Sequence, residues 1–374
     1  MLPVNQPLLN GREKELLIEC IETGWISSDG PLVSKFEKEF AKYIGMEYGI
    51  AVCNGTAALE TALFAAGIRR GDEIIMPSFT IISCALAAVR LGVVPVLVDA
   101  EPETWNMNVN QIELRITPRT KAIMPVHIYG HPVDMDPVLE IARNHNLIVI
   151  EDAAEVHGAE YKGRKCGSLG HISAWSFYAN KIITTGEGGM ILTSDSKMAK
   201  KAASYRNLCF RPERRFYHTE LGNNYRMTNL QAALGVAQME RIEEFINIKR
   251  RLGKYYQEKL SSIKGIKTQI EKPWAKTVYW MYCIELDRSL GLNANEMITE
   301  LKKRDIGSRP FFLGLHEQPA LKKLGFFKDE HYPITERISA QGLYLPSGLT
   351  LNEAQIDEVV SAVRSVLFDR RPHG

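Results

Sequence analysis

A chain of 374 residues has room for one large hydrophobic core and a second, smaller one. With 46 Lys and Arg against 44 Asp and Glu, and 45% hydrophobic residues, it lacks the basic surplus of a nucleic-acid or membrane-surface binder and the composition of a disordered chain. No run approaches the roughly 18 apolar residues of a membrane span, and Arg12, Glu13 and Lys14 fall where a signal peptide would have its apolar stretch.

Short β-rich runs alternate with helical patterns through the first half. Strands are expected at 48–53, 73–76, 94–98, 122–126 and 147–150, and helices at 56–66, 82–91, 110–116 and 136–144. That alternation implies an α/β fold around a mixed, mostly parallel central sheet. Two further strands, 174–177 and 190–193, flank a Gly-rich loop. Residues 229–264 read as one long, charged helix. From about residue 265 short strands (279–286) mix with helices at 294–304 and 353–368, a smaller α+β domain. The expected division is 1–245 for the large domain with its N-terminal segment and 246–374 for the small one. Cys20, Cys53, Cys84, Cys166, Cys209 and Cys283 form no CxxC pair or metal-ligand cluster, so no metal site is expected, and scattered thiols suit the reducing cytoplasm.

Three stretches carry chemistry, each at the carboxyl end of an expected strand, where ligands of open α/β sheets sit. Asn54-Gly55-Thr56-Ala57 follows one strand and opens a helix, so backbone amides and the Thr hydroxyl can face an anion. Taken alone it is equally a turn with Thr as N-cap. In Leu147-Ile148-Val149-Ile150-Glu151-Asp152-Ala153-Ala154-Glu155, Asp152 projects into the crevice beside small residues that leave space for a flat ring. A carboxylate there needs a cation or a protonated partner. Ser176-Phe177-Tyr178-Ala179-Asn180-Lys181 sets one lysine between apolar strand residues and the Gly-rich turn, where partial burial makes its amine a nucleophile toward an aldehyde. Together the three supply what pyridoxal phosphate requires: an anion cradle, an acid for the pyridine nitrogen and a lysine for the aldehyde.

At these motifs, and at Gly24-Trp25-Ile26-Ser27-Ser28, Gly71-Asp72-Glu73, Val126-His127-Ile128-Tyr129-Gly130, Asn224-Tyr225-Arg226-Met227-Thr228-Asn229 and Ser308-Arg309-Pro310, the sequence resembles the DegT/DnrJ/EryC1/StrS family of nucleotide-sugar aminotransferases over nearly its whole length. The resemblance implies the aspartate-aminotransferase fold (fold type I) and a homodimer with shared active sites. It further implies that Lys181 forms the Schiff base and shuttles a proton, and that Asp152 pairs with the pyridine nitrogen. Thr56, the amides of Gly55 and Ala57, and Ser176 would hold the phosphate, and Glu155 would lie near the phenolic oxygen, where many relatives have Gln. Asn224 would reach the phosphate in the partner's site. Trp25, Ser27, Arg309, His316 and the pair Arg214-Arg215 are the implied contacts to substrate. The Lys181 segment and Lys121–His127 are most similar to members that aminate GDP-4-keto-6-deoxymannose with L-glutamate. A dTDP- or UDP-linked 4-keto sugar, or a GDP-linked 3-keto sugar, stays open as the acceptor.

One place departs from the pattern. Relatives stack an aromatic residue on the pyridine ring where this chain has Ile81, which forgoes roughly 1 kcal/mol of stacking unless a neighbour such as Phe79 compensates. Among rival readings, a sugar dehydratase would carry histidine in place of Lys181, a regulatory cofactor binder has no use for the intact lysine and acid, and a nicotinamide dehydrogenase would show GxGxxG after the first strand.

Overall fold

The computed structural model describes residues 1–211 and 213–369. Seven strands form the central sheet, in spatial order Tyr48–Val52, Gly189–Thr193, Ile172–Ser176, Ile148–Asp152, Thr120–Ile123, Glu73–Pro77, Val94–Val98. Only Gly189–Thr193 runs antiparallel to its neighbours; the other four pairings are parallel. Several strands are buried along their whole length, which is why they read as unbroken apolar runs rather than alternating ones. Helix Gly55–Ala65 packs on Ile172–Ser176, and its small buried face of Ala57, Ala58 and Ala62 allows the close approach.

Two expected helices are corrected. Residues 110–116 form two 3₁₀ turns, Val109–Gln111 and Glu113–Arg115. Seven residues offer too few i→i−4 bonds to offset helix nucleation, and Gln111 Oε1 instead accepts from Asp99 N at 2.8 Å. The long helix at 229–264 is two, Asn229–Met239 and Ile242–Leu260, broken where Arg241 leaves helical geometry (φ −123°, ψ 11°) and its side chain binds Asn10 and Glu244. The halves have different tasks. Asn229–Met239 is buried against helices Glu13–Thr23 and Pro31–Ile44, whereas only the second half has the charged face that the periodicity suggested. Helix Ser196–Tyr205 is capped by Asp195 through the amides of Lys197 and Met198.

A four-stranded antiparallel sheet, Ile266–Thr268, Tyr282–Leu286, Gly342–Leu345 and Arg309–Pro310, builds the second core with helices Ala294–Lys302 and Glu353–Asp369. We propose the 245/246 division as an approximate one. Helix Ile242–Leu260 gives Phe245 and Ile246 to the large core and Leu252, Tyr256 and Leu260 to the small one. The first residues also cross over: Leu2 bonds Asp305 and Gly307, and Val4 O accepts from Ser347 N. Among the described residues no helix is long and apolar enough to cross a membrane.

Candidate active site

Strand Ile148–Asp152 ends with two carboxylates on opposite faces, as a period of two demands. Glu151 points away from the cavity and is fully satisfied: it accepts from His127 Nε2 at 3.0 Å and from the amides of Gly167, Leu169 and Gly170. Because His127 Nδ1 accepts from Val133 N, the ring's proton sits on Nε2 and is donated to Glu151. Burial alone would raise the Glu151 carboxyl; His127 and these amides overcome it and hold it below its ordinary value.

Asp152, on the other face, is anchored by its backbone to Pro125 and is nearly sealed from water. Its Oδ1 accepts from Ala154 N at 3.1 Å and its Oδ2 from the thiol of Cys84 at 3.1 Å. Among the described residues no lysine or arginine is ion-paired with it, so it keeps lone pairs for a protonated group entering the cavity.

Lys181 lies in the turn after Ser176. Its Nζ is 3.6 Å from Glu155 Oε1 and 3.6 Å from the centroid of the Trp280 ring. Burial lowers the pKa of the amine, opposed by the charges of Glu155 and Asp152. Burial raises Glu155 to about 7 despite Lys181 and an amide bond from Tyr129. Each group favours the charged form of the other while burial disfavours both, so the two titrations are coupled.

Gly55, Thr56, Ser83 and Ser176 line the same cavity, of about 670 Å³. The N-cap of the helix here is Asn54, not Thr56: Asn54 Oδ1 accepts from Ala57 N at 2.8 Å, which commits that amide to the cap and frees the Thr56 hydroxyl. Thr56 Oγ1 meets Ser83 Oγ at 3.0 Å. A Cβ built on Gly55 would stand 2.8 Å from Ser176 Cβ, so only glycine lets the helix start approach this strand end. Three hydroxyls about a helix N-terminus, an unpaired carboxylate and a buried amine form a donor set that fits pyridoxal phosphate.

The other expected residues fall in different places. Ile81 lines the cavity and is 42% exposed, whereas Phe79 is buried behind it against Tyr129 and Phe311 and offers the cavity no ring; the suggested compensation is absent. Asn224 is outside its own cavity's lining and accepts from Arg226 Nε. Arg309 pairs in register with Tyr344, a lining residue. Trp25 and Ser27 lie in a segment held by Asn229, whose side chain donates to Trp25 O and whose amide donates to Ser27 O, and neither lines the cavity. Arg214 and Arg215 cover the rings of Tyr217 and Phe210 on an exposed loop. His316 is buried against Tyr332 and bonded to Glu336, away from the lining.

Sequence reasoning missed Ser83, Cys84, Trp280, Phe312 and Tyr344. Ser83 and Cys84 had a local signal, since they open the helix after Thr80 and that helix start faces the cavity. Trp280, Phe312 and Tyr344 come from the second half of the chain and had none.

A family profile described as the DegT/DnrJ/EryC1/StrS aminotransferase family matches residues 7–364. The GDP-perosamine synthase of Caulobacter vibrioides is 45% identical over 370 residues, covering 98% of each chain. That of Escherichia coli O157:H7 is 40% identical over 369 residues, 99% of each. Among solved structures, S. venezuelae DesV in complex with a ketimine intermediate superposes with a TM-score of 0.89 at 31% identity, over 95% of this chain and 94% of that one.

Proposed function

The chain belongs to the DegT/DnrJ/EryC1/StrS aminotransferase family and is a pyridoxal-phosphate-dependent sugar aminotransferase of fold type I, and we propose that it converts GDP-4-keto-6-deoxy-D-mannose to GDP-perosamine with L-glutamate as amino donor. The observation that carries the substrate assignment is full-length similarity to GDP-perosamine synthases from several bacteria.

In this reading Lys181 would hold the cofactor through its aldehyde carbon, and Asp152 would face its pyridine nitrogen. Gly55, Thr56, Ser176 and also Ser83 would hold the phosphate, and Glu155 would face the phenolic oxygen. When bound, the cofactor supplies an electron sink for breaking a C–H bond next to nitrogen. Lys181 supplies the base: burial lowers its pKa, so more of the amine is free to take a proton at neutral pH. Among the described residues no lysine or arginine is ion-paired with Asp152 and it is nearly sealed from water, so its remaining lone pairs face whatever protonated group enters.

The reading includes a homodimer in which Asn224 serves the partner's cavity. Its support is that Asn224 stands outside its own cavity and that the loop before it exposes Phe216 and Leu221. It also places the enzyme in the cytoplasm, on the strength of six unpaired thiols. Amino transfer measured with GDP-, dTDP- and UDP-linked 4-keto-6-deoxy sugars at equal concentration tests the substrate. The expected result is the highest kcat/KM for the GDP sugar; a clear preference for another nucleotide overturns the GDP assignment and leaves the aminotransferase standing.

A further inference from the structure

This inference rests on Lys181 being the lysine that attaches the cofactor, because such an amine spends part of each turnover detached and must be held somewhere. The structure gives it a seat. Lys181 Nζ lies 3.6 Å from the centre of the Trp280 ring and 3.6 Å from Glu155 Oε1, with its side chain 10% exposed. Water therefore contributes little, and the electron-rich face of the Trp280 ring lies directly against the nitrogen. Such a face favours an ammonium over the neutral amine, the more so when desolvated.

Trp280 is held at four points. Its Nε1 donates to the carbonyl of Asn180, the residue before Lys181, at 2.8 Å, so the indole is tethered to the same turn it faces. Its own carbonyl accepts from the buried amine of Lys249 at 2.7 Å. Gly130 passes so near that a Cβ there would be 2.7 Å from Trp280 N. The ring lies nearly parallel to Tyr129, 14° apart with centroids at 6.2 Å. With its backbone held by Lys249 and Gly130 and its indole by Asn180 and Tyr129, Trp280 acts as a fixed rest for the amine.

We propose that Trp280 is a positioning residue for proton transfer, its ring face seating the detached ε-ammonium of Lys181 within reach of the reacting carbons. The nitrogen gains one proton as ammonium and gives up the same proton, so no further acid, oxidant or reductant enters. The ionisable groups facing Lys181 are Glu155, Asp152, the Cys84 thiol and His157. Glu155 and Asp152 favour the ammonium, and the Cys84 thiol, held protonated by burial and bonded to Asp152, adds no charge. His157, buried among Phe40, Trp175 and Phe177 and pushed down to about 3, stays neutral and adds no charge. Burial opposes them all. Removing the ring therefore shifts the balance toward the free amine.

The test uses the full-length protein without cofactor. Trace acetylation with acetic anhydride across a pH series, read by mass spectrometry on the peptide carrying Lys181, gives the pH midpoint of that amine. Trp280→Leu is expected to lower the midpoint by about one pH unit and Trp280→Phe by less, because a smaller ring retains part of the attraction. In turnover the Leu variant should lose kcat with KM for the nucleotide sugar nearly unchanged. An unchanged midpoint in a folded Leu variant overturns the proposal. If that variant does not fold, the fluorescence of wild type against Lys181→Met decides: quenching that follows the Lys181 midpoint only in wild type supports the seat, and its absence overturns it. Borohydride reduction of the cofactor-loaded wild type tests the reading beneath. A cofactor mass on Lys181 with an unchanged Trp280→Leu midpoint sinks the seat alone, whereas no mass on Lys181 sinks both.

Discussion

Lys181 Nζ and Glu155 Oε1 face each other at 3.6 Å in a cavity where both are nearly sealed from water, and burial pushes the two groups in opposite directions, the amine down and the carboxyl up. Each favours the charged form of the other, so they titrate as a pair.

Glu155→Gln removes one of the charges that raise Lys181 and leaves burial less opposed. The amine's pKa should therefore fall, and Lys181 in the cofactor-free variant should acetylate at lower pH than in wild type, by about one pH unit. The carboxyl that titrates at about 7 also disappears, so the activity–pH profile should lose its inflection near neutrality. A profile and midpoint identical to wild type would show that the carboxylate is not coupled to the lysine.

Asp152→Asn should still take up cofactor, since in the proposed reading the hydroxyls and backbone near Gly55, not Asp152, would hold the phosphate. It should lose activity mostly in kcat, because an unprotonated pyridine is a poor electron sink. Lys181→Ala, by contrast, should abolish turnover and leave the circular dichroism spectrum unchanged. Near-normal kcat in the Asn variant would assign the ring nitrogen to another acid.

Gly55→Ala tests the cradle. The added methyl would stand 2.8 Å from Ser176 Cβ, two backbone-anchored elements with little room to yield. The expected cost is about 1–3 kcal/mol in stability, seen as a lower Tm, with a larger loss in cofactor affinity measured by equilibrium titration. Unaltered affinity would place the phosphate elsewhere.

Mixing Lys181→Ala with Asn224→Asp tests shared sites. Each variant should be inactive alone, and a heterodimer should regain activity in the one site that combines an intact lysine with the partner's intact asparagine. If subunits exchange and activity does not return, Asn224 serves its own chain or no site at all.

The expected residues that the fold gathers around one cavity, Asp152, Lys181 and Gly55, share one property: each lies within a few positions of a strand end. Asp152 closes the strand built on the apolar run 147–150, Lys181 precedes the Gly-rich turn and Gly55 opens a helix, so the pattern places all three at the rim of the sheet. The mostly parallel sheet was legible for the same reason, since a strand buried on both faces is a short unbroken apolar run. Tertiary structure decided the rest. Cys84 reaches Asp152 across 68 positions, and Trp280 reaches the turn of Lys181 across 100; no local period records either contact. It also withdrew His316 into a bond with Glu336 and gave the N-cap to Asn54 rather than Thr56. Strand ends follow from short-range pattern, whereas a partner for a buried charge is found by whichever distant segment the fold packs against it.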